Sequence, residues 1–296
     1  NSALLAYQQA VDAGADMAVG PLSSDAVGAL LQRGQLPLKV LALNHPNNGL
    51  PPAGSAEFSL PPEAEGAQAA ARMHSQGLTS AVLFIAAQGD WAARAARAFR
   101  AQFEQLGGQV LASATLDRNQ VNYADAISQV LAQANGSSGI FIALGAEQGR
   151  LLVPQLRIAK VIQPLFATSH IYAAEDNPGL DRDLDGVTFC DAPWLFNAQP
   201  GLPRRADLTA SLPTTVGRAA RLFAFGMDAY ALLPYLAWLR AHPGSYLAGA
   251  TGQLTMDSFG RVQRTPVWAG FVNGIASLAG ATLGPASAAS SATPTP

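Results

Sequence analysis

Four unbroken apolar runs, separated by helix-length amphipathic stretches, fill residues 81–168, and this alternation limits the fold more than any other feature. The runs are residues 81–86, 110–112, 140–144 and 165–167, the last strand closing on Thr168. Between the first two, Trp91, Ala95, Phe99, Phe103 and Leu106 recur at helical spacing and stop at Gly107-Gly108. Between the next two, Tyr123, Ile127, Val130, Leu131 and Ala134 share one face, with Asn122 as cap. The third helical stretch, 147–160, is expected to kink near Pro154. Strands alternating with such helices predict βαβ units and a mostly parallel sheet, an α/β fold. Runs that are apolar throughout fit strands covered on both faces.

The alternation extends towards both ends. Before residue 81 the pattern predicts a helix over 2–13, a strand at 17–20 and a helix reaching Leu31 with Ser23 or Ser24 as N-cap. A strand at 39–44, an extended piece at 57–60 and a helix over 63–75, ended by Gly77, follow. A strand at 186–189 leads into Cys190, the single cysteine, which reads as a small buried hydrophobe and excludes a disulfide within the chain. Residues 193–217 carry four prolines and read as a loop. A long helix over 218–241, bent at Pro234, places Leu222, Phe225, Ala229, Leu232, Leu233 and Leu236 in its core stripe. A hairpin at 251–264 comes next, and the Ala, Ser, Pro and Thr residues at the end read as a disordered tail. No apolar run reaches the ~18–20 residues of a membrane span.

Charge narrows the function. Charged residues are 13% of the chain, the net charge is −2, and the pI is about 6.1. A nucleic-acid binder needs a basic balance, so none is expected as a partner. The sequence has no Gly-x-Gly-x-x-Gly, Walker, His-Glu-x-x-His or Gly-x-Ser-x-Gly motif, and neither a catalytic residue nor a cofactor is expected. The four histidines, His45, His74, His170 and His242, are scattered, and no metal site is expected. The acidic run Asp181-Arg182-Asp183-Leu184-Asp185 reads as a solvated turn, and Arg94, Arg97 and Arg100 as a solvent face with Arg100 pairing Glu104. Asp228, mid-helix, reads as a structural anion that caps a loop or pairs with an arginine. In an open α/β sheet ligands sit at the carboxyl ends of strands. Here those ends carry Ser23, Ser24, Asn44, Asp90, Trp91, Glu147, Ser169 and His170, the candidate lining of a cleft.

At this point the chain resembles a family. The helix Phe225-Gly226-Met227-Asp228-Ala229-Tyr230 and the hairpin from Gly249-Ala250-Thr251-Gly252 to Asp257-Ser258-Phe259-Gly260 look like the late elements of the type I periplasmic-binding-protein fold. Within that fold, several segments are similar to the LpoA (LppC) family of penicillin-binding-protein activators. They are Tyr7-Gln8-Gln9-Ala10-Val11, Gly20-Pro21-Leu22, Val40-Leu41-Ala42-Leu43-Asn44, Arg221-Leu222-Phe223, and Gly260-Arg261-Val262-Gln263-Arg264 running into Trp268. Asp228, Arg264 and Trp268 carry the family motif.

The resemblance implies two lobes, each with a parallel doubly wound sheet. It implies lobe one at 1–76, lobe two at 77–192, a return to lobe one at 193–248 and a terminal hairpin near the hinge at 249–275, and the tail read from composition takes 276–296. Family members open this domain with a strand, helix and strand before the helix found here, so lobe one is expected to lack that unit. The function implied is regulatory and non-catalytic: binding and activating a class A penicillin-binding protein in peptidoglycan synthesis. The place implied is the periplasm at the inner face of the outer membrane, with an N-terminal lipid anchor as the sole membrane contact. The rival reading is a periplasmic receptor closing on an amino acid or similar small molecule, with Ser23, Ser24 and Asp90 as its polar groups.

Overall fold

The computed structural model describes residues 2–46 and 51–279. The chain opens with α1 (Ser2–Asp12), β1 (Met17–Val19), α2 (Ser24–Leu31), β2 (Lys39–Ala42) and β3 (Ala56–Phe58). Next come α3 (Pro62–Ser75), β4 (Ser80–Ala86), α4 (Asp90–Gln105), β5 (Gln109–Leu116), α5 (Ala124–Leu131), β6 (Ser138–Ala143), α6 (Ala146–Ile158) and β7 (Leu165–Ala167). They are followed by α7 (Pro178–Asp181), β8 (Val187–Asp191), α8 (Arg205–Thr209), α9 (Ala219–Leu232) and α10 (Leu236–Ala241). The last strands are β9 (Leu247–Ala248), β10 (Gln253–Met256), β11 (Arg261–Thr265), β12 (Val267–Val272) and β13 (Ile275–Leu278).

These strands form two sheets. Sheet one has the order β1-β2-β3-β11-β10-β9, parallel from β1 through β11 and antiparallel beyond it. Sheet two has the order β13-β12-β8-β7-β6-β4-β5, parallel from β8 to β5. Its β4 and β6 are the two most apolar runs, and they are buried almost throughout, as two-sided coverage requires. The chain steps from β4 out to β5 and then back past it to β6 and β7, so right-handed crossovers put α5 and α6 on the face opposite α4. In sheet one the pleat separates two cores. Val40 and Ala42 pack with α1 and α2, whereas Leu41 packs with Phe58, Phe225 and Leu232 on the α9 side.

The expected boundaries move in four places. Helix α3 belongs with sheet two, because Ala69, Ala70 and Met73 lie in the core that holds Val82 and Phe99. The chain therefore crosses between the sheets at residues 59–61, ahead of α3 and not at Gly77. Gly66 permits this, since a Cβ there would collide with the carbonyl oxygen of Ala95 on α4. Residues 193–217 are not all loop: Trp194 is buried, and α8 forms within the stretch. The return to sheet one runs along α9 itself, with Ala220 and Ala224 in the sheet-two core and Phe225, Ala229 and Leu232 in the sheet-one core. Finally, residues 249–275 divide at Pro266: β10 and β11 join sheet one, whereas β12 and β13 extend sheet two. Strand β13 reaches Leu278, inside the stretch expected to be disordered, and the rest of that expectation, 280–296, lies outside the described residues.

A helix serving two cores does not have a single apolar stripe. Leu222, expected in the stripe, is 59% exposed, while the smaller Ala220 and Ala224 are buried. Pro234 sits in a single 3-10 turn that joins α9 to α10. Together the segment Ala219–Ala241 is long and apolar enough to cross a bilayer, which the count of unbroken apolar residues had not indicated. Two of its charges, Arg221 near its start and Asp228 near its middle, are fixed by partners in both halves of the protein, so it acts here as a shared core helix.

Candidate functional site

The carboxyl ends of the strands gather the expected cleft residues into two groups. In sheet one, Ser23 caps α2 by accepting from the Ala26 amide at 3.3 Å. The Ser24 hydroxyl donates to the His45 carbonyl at 2.6 Å, and Asn44 donates to the Leu22 carbonyl and accepts from the His45 amide, each at 2.9 Å. In sheet two, Asp90 and Trp91 open α4, Glu147 lies in the first turn of α6, and Ser169 and His170 follow β7. Trp91 and His170 stack with centroids 3.8 Å apart and planes 8° from parallel. Asp90 is exposed and lies 3.7 Å from Arg94. Glu147 is exposed. The side-chain polar atoms of Ser23, Ser24, Asn44 and Ser169 are held by the protein, whereas Asp90 and Glu147 face solvent.

Ser169 is the clearest case. Its amide and hydroxyl donate to the two carboxylate oxygens of Glu65, at 2.9 and 3.0 Å. A free amino acid's carboxylate could use the same donors, but a side chain of α3 takes them. Arg264 donates to Glu65 at 2.6 Å, and all three residues are buried. Burial opposes ionisation of Glu65, but Arg264, His170 and Ser169 outweigh it and hold the carboxyl below the usual glutamate value.

Two further groups extend this cluster. Arg221 makes a forked pair with Asp191, with contacts of 2.9 and 2.5 Å, and also donates to the carbonyls of Ser169 and Tyr172 at 2.9 Å. Asp228 accepts from the Ala250 amide at 2.5 Å, the Thr251 amide at 2.7 Å and the Thr251 hydroxyl at 2.5 Å. Gly249 lets this turn approach, because a Cβ there would stand 2.7 Å from the Asp228 carboxylate. Burial pushes the Asp228 pKa up, although these donors oppose it. Trp268 lies edge-on to Phe166, and the Arg72 guanidinium sits 5.6 Å above its ring.

Glu65, Asp191 and Arg221 escaped the sequence reading. One signal was available for Arg221: on an otherwise uncharged helix it stands two turns from Asp228, on the same face. The acidic run is not a solvated turn either. Asp181 is 1% exposed and pairs with Arg150 at 2.7 Å, and Asp185 accepts from the Gly274 amide at 2.8 Å. Arg94 is drawn out of the expected solvent face into a forked pair with Glu63, while Arg100 lies 3.8 Å from Glu104 as the spacing predicts. Cys190 is fully buried, and burial pushes its thiol pKa up, away from reactivity. No group of three metal-ligating side chains occurs among the described residues. An open cavity of about 630 Å³ lies outside the cleft, along α9, lined by Thr214, Ala219, Leu222, Phe223, Met227 and Tyr230.

Two mostly parallel sheets, crossed three times and sharing a core helix, define the architecture of periplasmic-binding-protein-like proteins. Solved structures agree: a putative branched-chain amino acid ABC transporter from Rhodospirillum rubrum superposes over 94% of this chain with a TM-score of 0.72 at 20% identity. The chain belongs to the LppC putative lipoprotein family, whose model matches residues 2–274. Curated relatives include the penicillin-binding protein activator LpoA of Dickeya chrysanthemi, 31% identical over 90% of this chain and 44% of the relative. The LpoA of Edwardsiella piscicida is 28% identical over 90% of this chain and 43% of the relative. The chain thus spans less than half the length of these curated relatives. Among solved structures it resembles the C-domain of Haemophilus influenzae LpoA, described as a regulator of PBP1A, with a TM-score of 0.77, 26% identity, and coverage of 94% of this chain and 86% of that one.

Proposed function

We propose that this chain is a non-catalytic regulatory domain that binds a class A penicillin-binding protein and raises its peptidoglycan-synthesising activity. The observation that carries this reading against a solute receptor is Ser169. Its amide and hydroxyl, placed where a receptor would hold a ligand carboxylate, are bound to Glu65. The activator names of the relatives support the same reading. We place the protein in the periplasm at the inner face of the outer membrane, held through an N-terminal lipid, as its lipoprotein family suggests. On this reading Asp228, Arg264 and Trp268 maintain the scaffold, and the work is done by a protein-binding surface of ~800 Å² per partner.

The test is calorimetric titration of the chain against a purified class A penicillin-binding protein from the same source, paired with a glycan-polymerisation assay. Saturable binding with increased polymerisation is expected. A folded chain that neither binds nor stimulates, yet melts higher with an amino acid present, would return the protein to the receptor class. Ligand at 100 times Kd should add ~2.7 kcal/mol, a shift well within reach of a thermal melt.

A further inference from the structure

Each of the three passages between the sheets carries a buried charge. Glu65 stands one turn into α3, just after the first passage at 59–61. Arg221 and Asp228 stand two turns apart on α9, the second passage. Arg264 is the penultimate residue of β11, two residues before Pro266, the third passage. Glu65, Asp228 and Arg264 are each less than one-tenth exposed, and so are Ser169, Thr251 and Asp191, the partner of Arg221.

These residues form one chain of contacts. Asp228 holds the turn at Ala250 and Thr251 ahead of β10, in sheet one. Arg264, on β11 of the same sheet, donates to the Thr251 carbonyl at 3.5 Å and reaches Glu65 on α3, which packs on sheet two. Gln68, a turn further along α3, donates to the Arg264 carbonyl at 3.1 Å. Glu65 holds Ser169 after β7, and Arg221 takes the Ser169 carbonyl and clamps Asp191 at the end of β8. Every link from Asp228 to Asp191 runs through a charged or strongly polar group that is buried or, at Arg221, mostly buried. Rotating one sheet against the other would part Glu65 from Arg264, and removing one partner of a buried pair strands the other.

We infer that this network is a latch that fixes the angle between the two sheet bodies, so that the protein presents a rigid two-lobed surface and does not hinge around a solute. Hinge closure needs a few connecting residues free to change their backbone angles. Here the connections are cross-linked to one another. The inference concerns the chain alone and stands apart from the identity of its protein partner.

Pulsed electron-spin distance measurement on the full chain tests it, with spin labels at Arg33→Cys beside sheet one and Ser128→Cys beside sheet two, both exposed positions. Cys190 is fully buried and stays unlabelled. The expected result is one narrow distance, unchanged by a mixture of amino acids. Glu65→Gln and Arg264→Met should each broaden the distribution about twofold or add a second population. Ser169→Ala, which keeps every charge, should broaden it less, and it decides the matter if the charge variants fail to fold. A broad or two-peaked distribution with the latch intact, a shortened distance on adding amino acids, or folded latch variants as narrow as the parent would each overturn the inference.

Discussion

Asp228 shows how one residue can fasten a distant turn. Its carboxylate takes two backbone amides and one hydroxyl that have no water to turn to. Asp228→Ala should therefore lower stability by about 2–4 kcal/mol in urea unfolding. A change within the ~0.5 kcal/mol typical of surface positions would show that the turn does not depend on it. Glu65 gives a pH signature. Its pKa in the folded state lies below the 4.5 usual for glutamate, so its ionised form stabilises the fold. That contribution is present above the unfolded value and is lost as pH falls below it through the folded value. Glu65→Gln should flatten the acid limb of the stability curve below about pH 4.5 while lowering stability at neutral pH. Parallel acid limbs for the two proteins would mean that the carboxyl titrates alike folded and unfolded. Asp228 was legible as a structural anion because a charge in an apolar helix must be satisfied. Glu65 was not, because an acid in a first helical turn has an ordinary explanation in the helix dipole.

At the scale of elements, the close approach of α3 to α4 is the contact most sensitive to a small change. Gly66→Ala would press a methyl group into the Ala95 carbonyl, where backbone cannot yield cheaply. A loss of about 1–3 kcal/mol is expected by chemical denaturation, even though alanine favours helix more than glycine does. Equal or greater stability would show that the two helices can separate without cost. Most strands and helices were legible because their periodicity is set by residues a few positions apart. Helix α9 was legible in extent but not in facing. Large apolar residues suggested one stripe, whereas a helix shared by two cores buries Ala220, Ala224 and Ala229 and leaves Leu222 and Tyr230 exposed.

For the whole molecule, the three passages and the shared helix couple the two sheet bodies. Calorimetry should show one cooperative unfolding transition, and Arg264→Met should separate it into two or broaden it. Two resolved transitions in the unaltered chain would mean that the bodies unfold independently. The alternation of strands and helices, the parallel sheets, the family resemblance and the burial of Cys190 were determined by the sequence itself, because each depends on local pattern or on composition. The passages at 59–61, along α9 and at Pro266, and the cleft donors turned onto the protein's own side chains, were decided only by tertiary structure. Ser169 and Glu65 are 104 positions apart and Arg264 and Glu65 are 199 apart. No local period reports such pairs. They meet because burying a charge leaves it no alternative to finding a partner within the fold.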